Sequence, residues 1–258
     1  MNKVIAVCNQ KGGVGKTTTC VNLAAALAVM EKKILLVDMD PQSNATQGLG
    51  LDGPFEETVY DALLLSEPEI IPSRIQTIVA KTTMPFLDVL PCSQALAGFE
   101  IEIIQQEQRE RRLQRILRPL RDLYDYILVD SPPSLNMLTL NVLTAADSVL
   151  IPIQCEYYAL QGLAELLNTI HMVQQSTNPD LSIEGALLTM YDSRLNLSKQ
   201  VADDVRGTFS EKVFKTIIPR SVKLSEAPSF GKPIILYDVV STGAIRYMEL
   251  AKEILDHE

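Results

Sequence analysis

A glycine-rich segment between an apolar run and a helix-forming run constrains this chain more than any other feature. Residues 9–18 read NQKGGVGKTT, the apolar run Val4–Val7 precedes them, and Thr19–Met30 has the composition of a helix. Glycines lack Cβ, so successive backbone N–H groups can wrap an anion, and the following helix adds the positive end of its dipole. The segment therefore predicts a strand, a phosphate-binding loop and a helix, in that order.

Further apolar runs with the length of buried strands recur along the chain. Together with the first they alternate with segments of helical length: Val4–Val7, Ile34–Asp38, Leu87–Leu90, Tyr126–Asp130, Val149–Pro152 and Ala186–Thr189. Continuously apolar strands separated by crossovers predict a mainly parallel sheet with helices on both faces. We expect one doubly wound α/β domain over residues 1–258, with short helices and loops in residues 52–84.

The composition is that of a folded globular protein. Hydrophobic residues make up 47% and charged residues 21% of the 258, which excludes a disordered or fibrous chain. The longest nearly apolar stretch, Val21–Met30, has half of the roughly 20 residues of a spanning helix, so we expect neither a membrane span nor a signal peptide. The four cysteines and two histidines include no Cys-x-x-Cys pair. We expect buried thiols in a reducing cytoplasm rather than disulfides or a metal cluster.

The glycine-rich loop departs from the ordinary phosphate-loop pattern G-x-x-x-x-G-K-[ST]. Gln10 stands where that pattern has glycine, and a second lysine, Lys11, follows it; this KGGVGKT form is called a deviant Walker motif. The pattern predicts that Lys16 contacts the β- and γ-phosphates of a nucleotide and that the Thr17 hydroxyl binds Mg²⁺. The predicted nucleotide-binding residues of the loop are Lys11, Gly12, Gly13, Val14, Gly15, Lys16, Thr17 and Thr18.

Carboxylates end two of the predicted strands. The carboxyl ends of parallel strands border the crevice in which ligands bind. Asp38 and Asp40 lie on one side if the extended geometry continues past the strand, so that one could join the magnesium shell and the other orient attacking water. Asp130 ends the strand Tyr126–Asp130 before the sequence SPPS and is predicted to contact Mg²⁺ through water. The alternative for each aspartate is capping of the next helix.

Charge is distributed unevenly. The formal net charge of −9 argues against a nucleic-acid-binding protein, but residues 190–232 hold eight Lys/Arg and five Asp/Glu. That stretch carries +3 and the remaining residues carry −12. An acidic chain of this kind can still present a local positive face to a polyanion.

Four segments together resemble the ParA/Soj partition ATPases: KGGVGKTT, LLVDMDPQSNATQGLG, YDYILVDSPPS and IIPRSVKLSEAPSFGKPIILYD. The resemblance covers nearly the whole chain and implies a P-loop NTPase fold with ATP and Mg²⁺ as cofactors. It also implies a homodimer in the ATP state, in which two subunits enclose two nucleotides. Lys11 would cross to the partner's nucleotide, Lys16 would bind phosphate, and Asp40 would prepare the hydrolytic water. Gly12 would lie where the two subunits come closest.

The resemblance also implies macromolecular partners. Relatives bind double-stranded DNA without sequence preference when dimeric, and the matching basic residues here are Arg194, Arg220 and Lys223. A ParB-type protein bound at centromere-like DNA would accelerate slow hydrolysis, which places the protein on the nucleoid in the cytoplasm. Pro219 and Arg220 border the adenine pocket in relatives, so Arg220 has two candidate roles. The alternative for each basic residue is an ordinary solvated charge.

Two other functions remain open at this point. A MinD-like membrane-associated regulator ends in a basic amphipathic helix, whereas residues 245–258 carry two basic and four acidic side chains, which would repel anionic lipid. We expect Ala244–Leu255 to be a helix docked on the domain. An iron–sulfur protein like the nitrogenase iron protein is disfavoured because suitable paired cysteines are lacking. The arginine-rich segment Gln105–Leu123 is predicted to be an exposed helix with i,i+4 charge pairs.

Overall fold

Strands of one sheet form the centre of the molecule. The computed structural model describes residues 2–156 and 159–256, and the strands within them are β1 Lys3–Val7, β2 Ile34–Asp38, β3 Ala80–Lys81, β4 Leu87–Leu90, β5 Tyr126–Asp130, β6 Ser148–Gln154 and β7 Ser182–Thr189. Their order across the sheet is β3-β4-β2-β5-β1-β6-β7. Every neighbouring pair is parallel except β3 with β4. The mainly parallel sheet predicted from the apolar runs is confirmed.

The six predicted strands all lie within observed ones, and the seventh, β3, was not predicted. Two residues are too short to show an apolar pattern, and β3 runs antiparallel at the edge of the sheet. The register sets Asp38 beside Asp130 and Val7 beside Asp130. The carboxyl ends of β1, β2 and β5 therefore meet at one point of the sheet edge.

Helices cover both faces of the sheet. They are α1 Lys16–Val29, α2 Asn44–Gly48, α3 Val59–Leu64, α4 Pro72–Gln76, α5 Phe99–Glu102, α6 Arg112–Leu117, α7 Met137–Ala145, α8 Ala159–Gln175, α9 Asn196–Phe209, α10 Val222–Glu226, α11 Ile234–Tyr237 and α12 Thr242–Asp256. The predicted helix Thr19–Met30 begins three residues earlier than expected, at Lys16, because the left-handed Gly15 ends the loop directly before it. Residues 52–84 form short helices and loops, as predicted.

Alternate residues of the longer strands enter two separate apolar cores. Val4 and Ala6 of β1 pack in the core beneath α3, α6, α7 and α8, while Ile5 and Val7 pack in the core beneath α1 and α12. Each fully buried aliphatic side chain stabilises the fold by about 1.5–3 kcal/mol relative to an exposed one. Burial on both faces explains why the strands are apolar without alternation.

The C-terminal helix confirms its predicted docking. Tyr247, Leu250 and Ile254 of α12 are fully or almost fully buried against α1, and the Tyr247 hydroxyl lies 3.2 Å from the Thr19 hydroxyl. The apolar face of α12 is therefore part of the core and not available to a lipid surface. No helix among the described residues is long and apolar enough to span a membrane. Cys8, Cys20, Cys92 and Cys155 are buried free thiols, as expected.

The prediction of one exposed helix over Gln105–Leu123 is wrong. Helix α6 covers only Arg112–Leu117, and 3₁₀ turns flank it at Arg109–Arg111 and Arg118–Leu123. Pro119 lacks the N–H that a continuing α-helix needs, so the helix changes to a 3₁₀ turn there. The expected i,i+4 charge pairs are also absent among the described residues: Arg115 pairs with Glu67 and Arg121 with Asp147, both on other elements.

Candidate nucleotide-binding site

The glycine-rich loop joins β1 to α1 and leaves the first turn of α1 open. Gly13 and Gly15 have φ of 74° and 91°, a left-handed conformation that residues with Cβ rarely adopt. Gly15 is the N-cap of α1 and offers no side chain to its free N–H groups. These N–H groups therefore remain available to an anion at the positive end of the helix dipole.

Hydrogen bonds to neighbouring strands hold the loop in place. Asn9 donates from Nδ2 to the Pro152 carbonyl over 2.7 Å and accepts from the Lys11 N–H over 3.0 Å. The Thr189 hydroxyl donates to the Val14 carbonyl over 2.8 Å. β6 and β7 thus position both ends of the loop before any ligand arrives, which reduces the ordering that binding requires.

The two lysines of the loop have different surroundings. Lys16 is 7% exposed, and its Nζ donates to the Lys11 carbonyl over 3.1 Å. Burial lowers the pKa of Lys16, and the charges of Asp130 and Asp40 oppose that shift. Lys11 is half-buried and forms an ion pair with Glu156, just after β6. Lys11 therefore has a partner within its own chain.

Asp38 and Asp40 have separate surroundings. β2 ends at Asp38, so the extended alternation that would set both side chains on one side stops there. Asp38 Oδ2 accepts from the Thr46 N–H (2.9 Å) and hydroxyl (2.7 Å), and Oδ1 accepts from the Asp40 N–H (3.2 Å). Burial raises the pKa of Asp38 to about 6, although these hydrogen bonds oppose the shift. In this structure Asp38 holds α2, the helix-capping alternative, and its magnesium role stays a prediction.

Asp40 lies at the phosphate cleft. A cleft of about 340 Å³ is lined by loop residues Gly12 to Thr18 except Val14, and by Asp40, Gln42, Asn44, Pro133 and Met190. Val14 is buried beneath the loop, where it contributes its carbonyl to Thr189. The arrangement brings Asp40 together with Lys16 and Thr17 around space for a polyphosphate.

Asp130 is the least satisfied polar group of the site. Both carboxylate oxygens are buried, and neither receives a hydrogen bond of good geometry from the described residues. Burial raises the pKa of Asp130 well above its usual range, and the neighbouring Asp38 adds to the shift, whereas the nearby Thr17 hydroxyl and Lys16 oppose it. A buried carboxylate without a partner is costly unless a ligand pairs with it.

Oxygen donors of this kind suit magnesium. The Thr17 hydroxyl and the Asp130 carboxylate are hard ligands that Mg²⁺ prefers, and Mg²⁺ usually takes its other ligands from phosphate and water. Among the described residues no group of three or more His, Cys, Asp or Glu could hold a metal ion. The donors here therefore fit an ion that arrives with a phosphate ligand.

A second cavity continues the cleft towards the C-terminal part of the chain. It has about 270 Å³ and shares Gly15, Thr18 and Met190 with the phosphate cleft. Pro219 and Arg220 line it, as the prediction of a base pocket requires, because a bridge between Tyr191 and Pro219 brings this loop to the end of β7. A phosphate cleft and a partly apolar cavity side by side match the two halves of a nucleotide.

Comparison with known proteins identifies the family. A family model described as an AAA domain matches residues 2–183. Sporulation initiation inhibitor protein Soj of Bacillus subtilis (strain 168) is 56% identical over 255 residues, which cover 98% of each chain. This chain belongs to the Soj/ParA family. Chromosome partitioning protein ParA of Myxococcus xanthus is 53% identical over 100% of this chain and 89% of that protein.

A solved structure similar to this Soj/ParA chain contains a nucleotide. Cobyrinic acid a,c-diamide synthase from Mycobacterium smegmatis with bound ADP and magnesium superposes with a TM-score of 0.85. It is 40% identical and covers 100% of this chain and 95% of the other. The P-loop NTPase fold expected from the sequence is confirmed by this match and by the sheet order.

Two of the predicted DNA-binding residues of this Soj/ParA chain, Arg194 and Arg220, lie on adjacent loops, and the third, Lys223, lies in α10. The Arg220 N–H donates to the Tyr191 carbonyl over 3.2 Å. Arg194 donates two hydrogen bonds from its guanidinium (2.9 and 2.6 Å) and one from its backbone N–H (3.0 Å) to Asp192. These bonds lower the pKa of Asp192 to about 2, and the charge of Arg220 adds to that shift. Arg194 and Arg220 therefore flank one carboxylate. Lys223 is exposed and pairs with Asp238 over 2.7 Å.

Sequence reasoning missed several residues that support the site. Glu156 pairs with Lys11, Glu165 of α8 accepts from Gln10 Nε2 over 2.6 Å, and Thr46 holds Asp38. Glu156 could have been found, because it lies two residues after the carboxyl end of β6, where ligand-facing residues gather. Glu165 offered no such signal, since only the folded chain brings α8 to the loop.

Proposed function

We propose that this chain is a chromosome-partitioning ATPase of the Soj/ParA type, in which ATP with Mg²⁺ joins two subunits that then bind DNA. The observation that carries the proposal is the buried Asp130, which receives no hydrogen bond of good geometry from the described residues and lies near the Thr17 hydroxyl, beside an open phosphate loop. The relatives named above as Soj and ParA support the biological role. Residues 1–258 act as one domain in this proposal, because α12 packs on α1.

Thr17 and Asp130 hold the magnesium ion in this proposal, and Asp38 adds negative charge next to Asp130. Magnesium bound with ATP neutralises charge on the phosphate oxygens. Lys16, buried at the cleft, contributes a positive charge that need not be dehydrated when phosphate binds. Isothermal titration with MgATP tests the assignment: Asp130→Asn is expected to weaken binding in magnesium much more than in EDTA.

Asp40 orients the attacking water in this proposal. It lines the phosphate cleft, and its Oδ1 accepts from the Gln42 N–H over 3.0 Å, which holds the carboxylate in place. Loss of a group that positions or deprotonates water costs about 10²–10⁴ in rate. Asp40→Ala is expected to lose hydrolysis while retaining ATP binding and forming long-lived dimers. An unchanged rate of phosphate release would remove Asp40 from the mechanism.

Lys11 joins the two subunits in this proposal by contacting the partner's nucleotide. To do so it leaves Glu156, its partner within the chain. The γ-phosphate adds negative charge across the interface, so an ATP dimer is favoured over an ADP dimer. Light scattering in magnesium and a non-hydrolysable ATP analogue is expected to show dimers for the native chain and monomers for Lys11→Ala. Lys33→Ala is the control, because Lys33 is an exposed lysine at the opposite edge of the sheet, and it is expected to form dimers.

The surface formed by Arg194, Arg220 and Lys223 binds the DNA backbone in this proposal. Each side chain is exposed, and dimerisation doubles the patch. Loss of one phosphate contact lowers the slope of log affinity against log salt by about 0.9, so Arg194→Glu is expected to lower it by about 2 in a dimer. Lys33→Glu is the matched control. Normal DNA binding by Arg194→Glu would contradict the patch.

A ParB-type protein raises the rate of hydrolysis in this proposal and so releases the dimer from DNA. Before that release, the ATP-bound protein is expected to lie on the nucleoid in cells. Phosphate release measured with and without such a partner and DNA tests this step. A rate that no partner protein changes would leave the nucleotide switch in place and remove its coupling to partition.

A further inference from the structure

A cavity of about 420 Å³ lies next to the phosphate cleft but shares no lining residue with it. Its walls come from α2 and the loop that follows, from the start of α3 and from the residues after β4. Sites for small ligands commonly have about 300–1,000 Å³. The proposed nucleotide site makes no use of this cavity.

The residues that line this cavity favour a positively charged ligand. Its polar groups include hydroxyls and carboxylates, those of Ser43, Thr46, Thr58, Ser93, Asp52 and Asp61, and none of the lining residues is Lys, Arg or His. Asp52 is exposed and makes no hydrogen bond or ion pair with the rest of the described chain. Two carboxylates without a lining cation repel phosphate and attract an organic cation.

The remaining acceptors suit a donor with several N–H groups. Asp61 Oδ2 accepts from the N–H (2.8 Å) and hydroxyl (3.2 Å) of Thr58 at the start of α3. Arg74, whose charge interacts with Asp61, is bound by Glu57 instead. A guanidinium has five N–H donors and an ammonium has three, so either can bond to carboxylates and hydroxyls together. Leu51 and Phe55 in the wall offer apolar surface to an alkyl chain.

The floor of the cavity is bonded to the aspartates of the nucleotide site. The Thr46 hydroxyl donates to Asp38 (2.7 Å) and accepts from the Cys92 N–H (3.1 Å). Asp38 in turn accepts from the Asp40 N–H (3.2 Å), and the Ser43 N–H donates to the Asp40 carbonyl (2.8 Å). A ligand that touches Thr46 or Ser43 therefore acts on groups directly bonded to Asp38 or Asp40.

We propose that this cavity binds an organic cation, a guanidinium or alkylammonium group, and that binding changes the hydrogen bonds that hold Asp38 and Asp40. The charged group lies between Asp52 and Asp61. A free amine and an arginine side chain of another protein share this chemistry. Any effect on hydrolysis rests on the proposed function, whereas the binding itself does not.

Nuclear magnetic resonance on the full chain without nucleotide tests the proposal. The probes are agmatine, as a free cation, and acetyl-Gly-Arg-Gly-amide, as a protein-borne guanidinium, with uncharged butylurea as the control. Either cation is expected to shift the amide signals of Thr46, Ser93 and Asp40 with one saturating curve, and butylurea is not. Binding of agmatine supports a free amine, and binding of the peptide alone supports an arginine side chain. No shift with either cation overturns the proposal.

Matched variants separate a site from diffuse attraction. Asp52→Asn is expected to weaken cation binding about fivefold, whereas Asp180→Asn, the same change at an exposed position before β7, is expected to leave it unchanged. Equal weakening by both variants would indicate diffuse attraction and refute the site. Shifts at Thr46 without any at Asp40 would refute the link to the nucleotide site. Because no nucleotide is present, a failure of the proposed ATPase cycle does not affect these results.

Discussion

Replacing Thr46 by valine removes one hydroxyl from a buried set of hydrogen bonds around Asp38. Thr46 is 1% exposed, and valine has nearly the same shape, so packing is preserved. The change removes a hydrogen bond to a carboxylate, worth about 1.5–3 kcal/mol, and leaves the Cys92 N–H without its acceptor, which costs about 1–3 kcal/mol. We expect the free energy of unfolding to fall by about 3–5 kcal/mol.

Urea unfolding followed by circular dichroism measures this loss. With a slope of about 3 kcal/mol per molar urea, the midpoint is expected to fall by about 1–1.7 M. Thr46→Ser keeps the hydroxyl and loses one methyl group, so a loss of about 1 kcal/mol is expected. Thr208→Val removes an exposed hydroxyl that bonds to the Asp204 carbonyl on α9, and its effect is expected to stay within about 0.5 kcal/mol.

The comparison among the three variants decides whether the reasoning holds. If Thr46→Val unfolds within about 0.5 kcal/mol of Thr208→Val, the hydroxyl of Thr46 does not hold Asp38, and the bonding that connects the cation cavity to Asp40 is refuted with it. The Thr46→Val change is also expected to raise the pKa of Asp38 further, because the lost hydrogen bond from the Thr46 hydroxyl lowers it, whereas the bond from the backbone N–H remains.

Two further changes test the backbone contact near α2 and the charge of the site. In Gly231→Ala the new Cβ would lie 2.7 Å from Gly50 Cα, and residue 231 would have to keep a φ of +59°. The left-handed backbone costs about 1–2 kcal/mol and the overpacking about 1–3 kcal/mol. We therefore expect a clearly lower urea midpoint. Gly207→Ala within α9 is the control, because a Cβ added there has no atom within 4 Å. This change is expected to stabilise the fold by about 1 kcal/mol. Equal midpoints for the two variants would contradict the close contact between Gly231 and Gly50. Asp130→Asn without magnesium is expected to unfold at higher urea than the native chain. The raised pKa of Asp130 means that its charged form destabilises the fold above about pH 4, so this advantage is expected to grow as the pH rises above that value. If the stability advantage of Asp130→Asn shrinks as the pH rises, the pKa of Asp130 is not raised in the folded protein.

The elements that were predictable are those with a strong local signal. Six strands and the phosphate loop follow from apolar runs and from the glycine pattern, since burial on both faces and left-handed turns each demand particular residues. The segment 105–123 was misjudged because its charges suggested one exposed helix, whereas Pro119 and partners on other elements decide its form. The short strand β3 has no pattern of its own and exists because β4 offers it an edge.

The candidate site also has a part that was predictable from the sequence and a part that was not. The place of its carboxylates was predictable because carboxyl ends of parallel strands meet at one edge, which brings Asp38, Asp40 and Asp130 to the loop. Their roles in binding and hydrolysis stay predictions. Their separate surroundings were not predictable. The sequence alone determined the chemical groups at the nucleotide cleft and the order in which they occur. Only the tertiary structure decided that Asp38 is held by Thr46, that Asp130 is buried without a well-aligned hydrogen bond from the described residues, and that Lys11 meets Glu156. Separation along the chain carries no information about these distances in space.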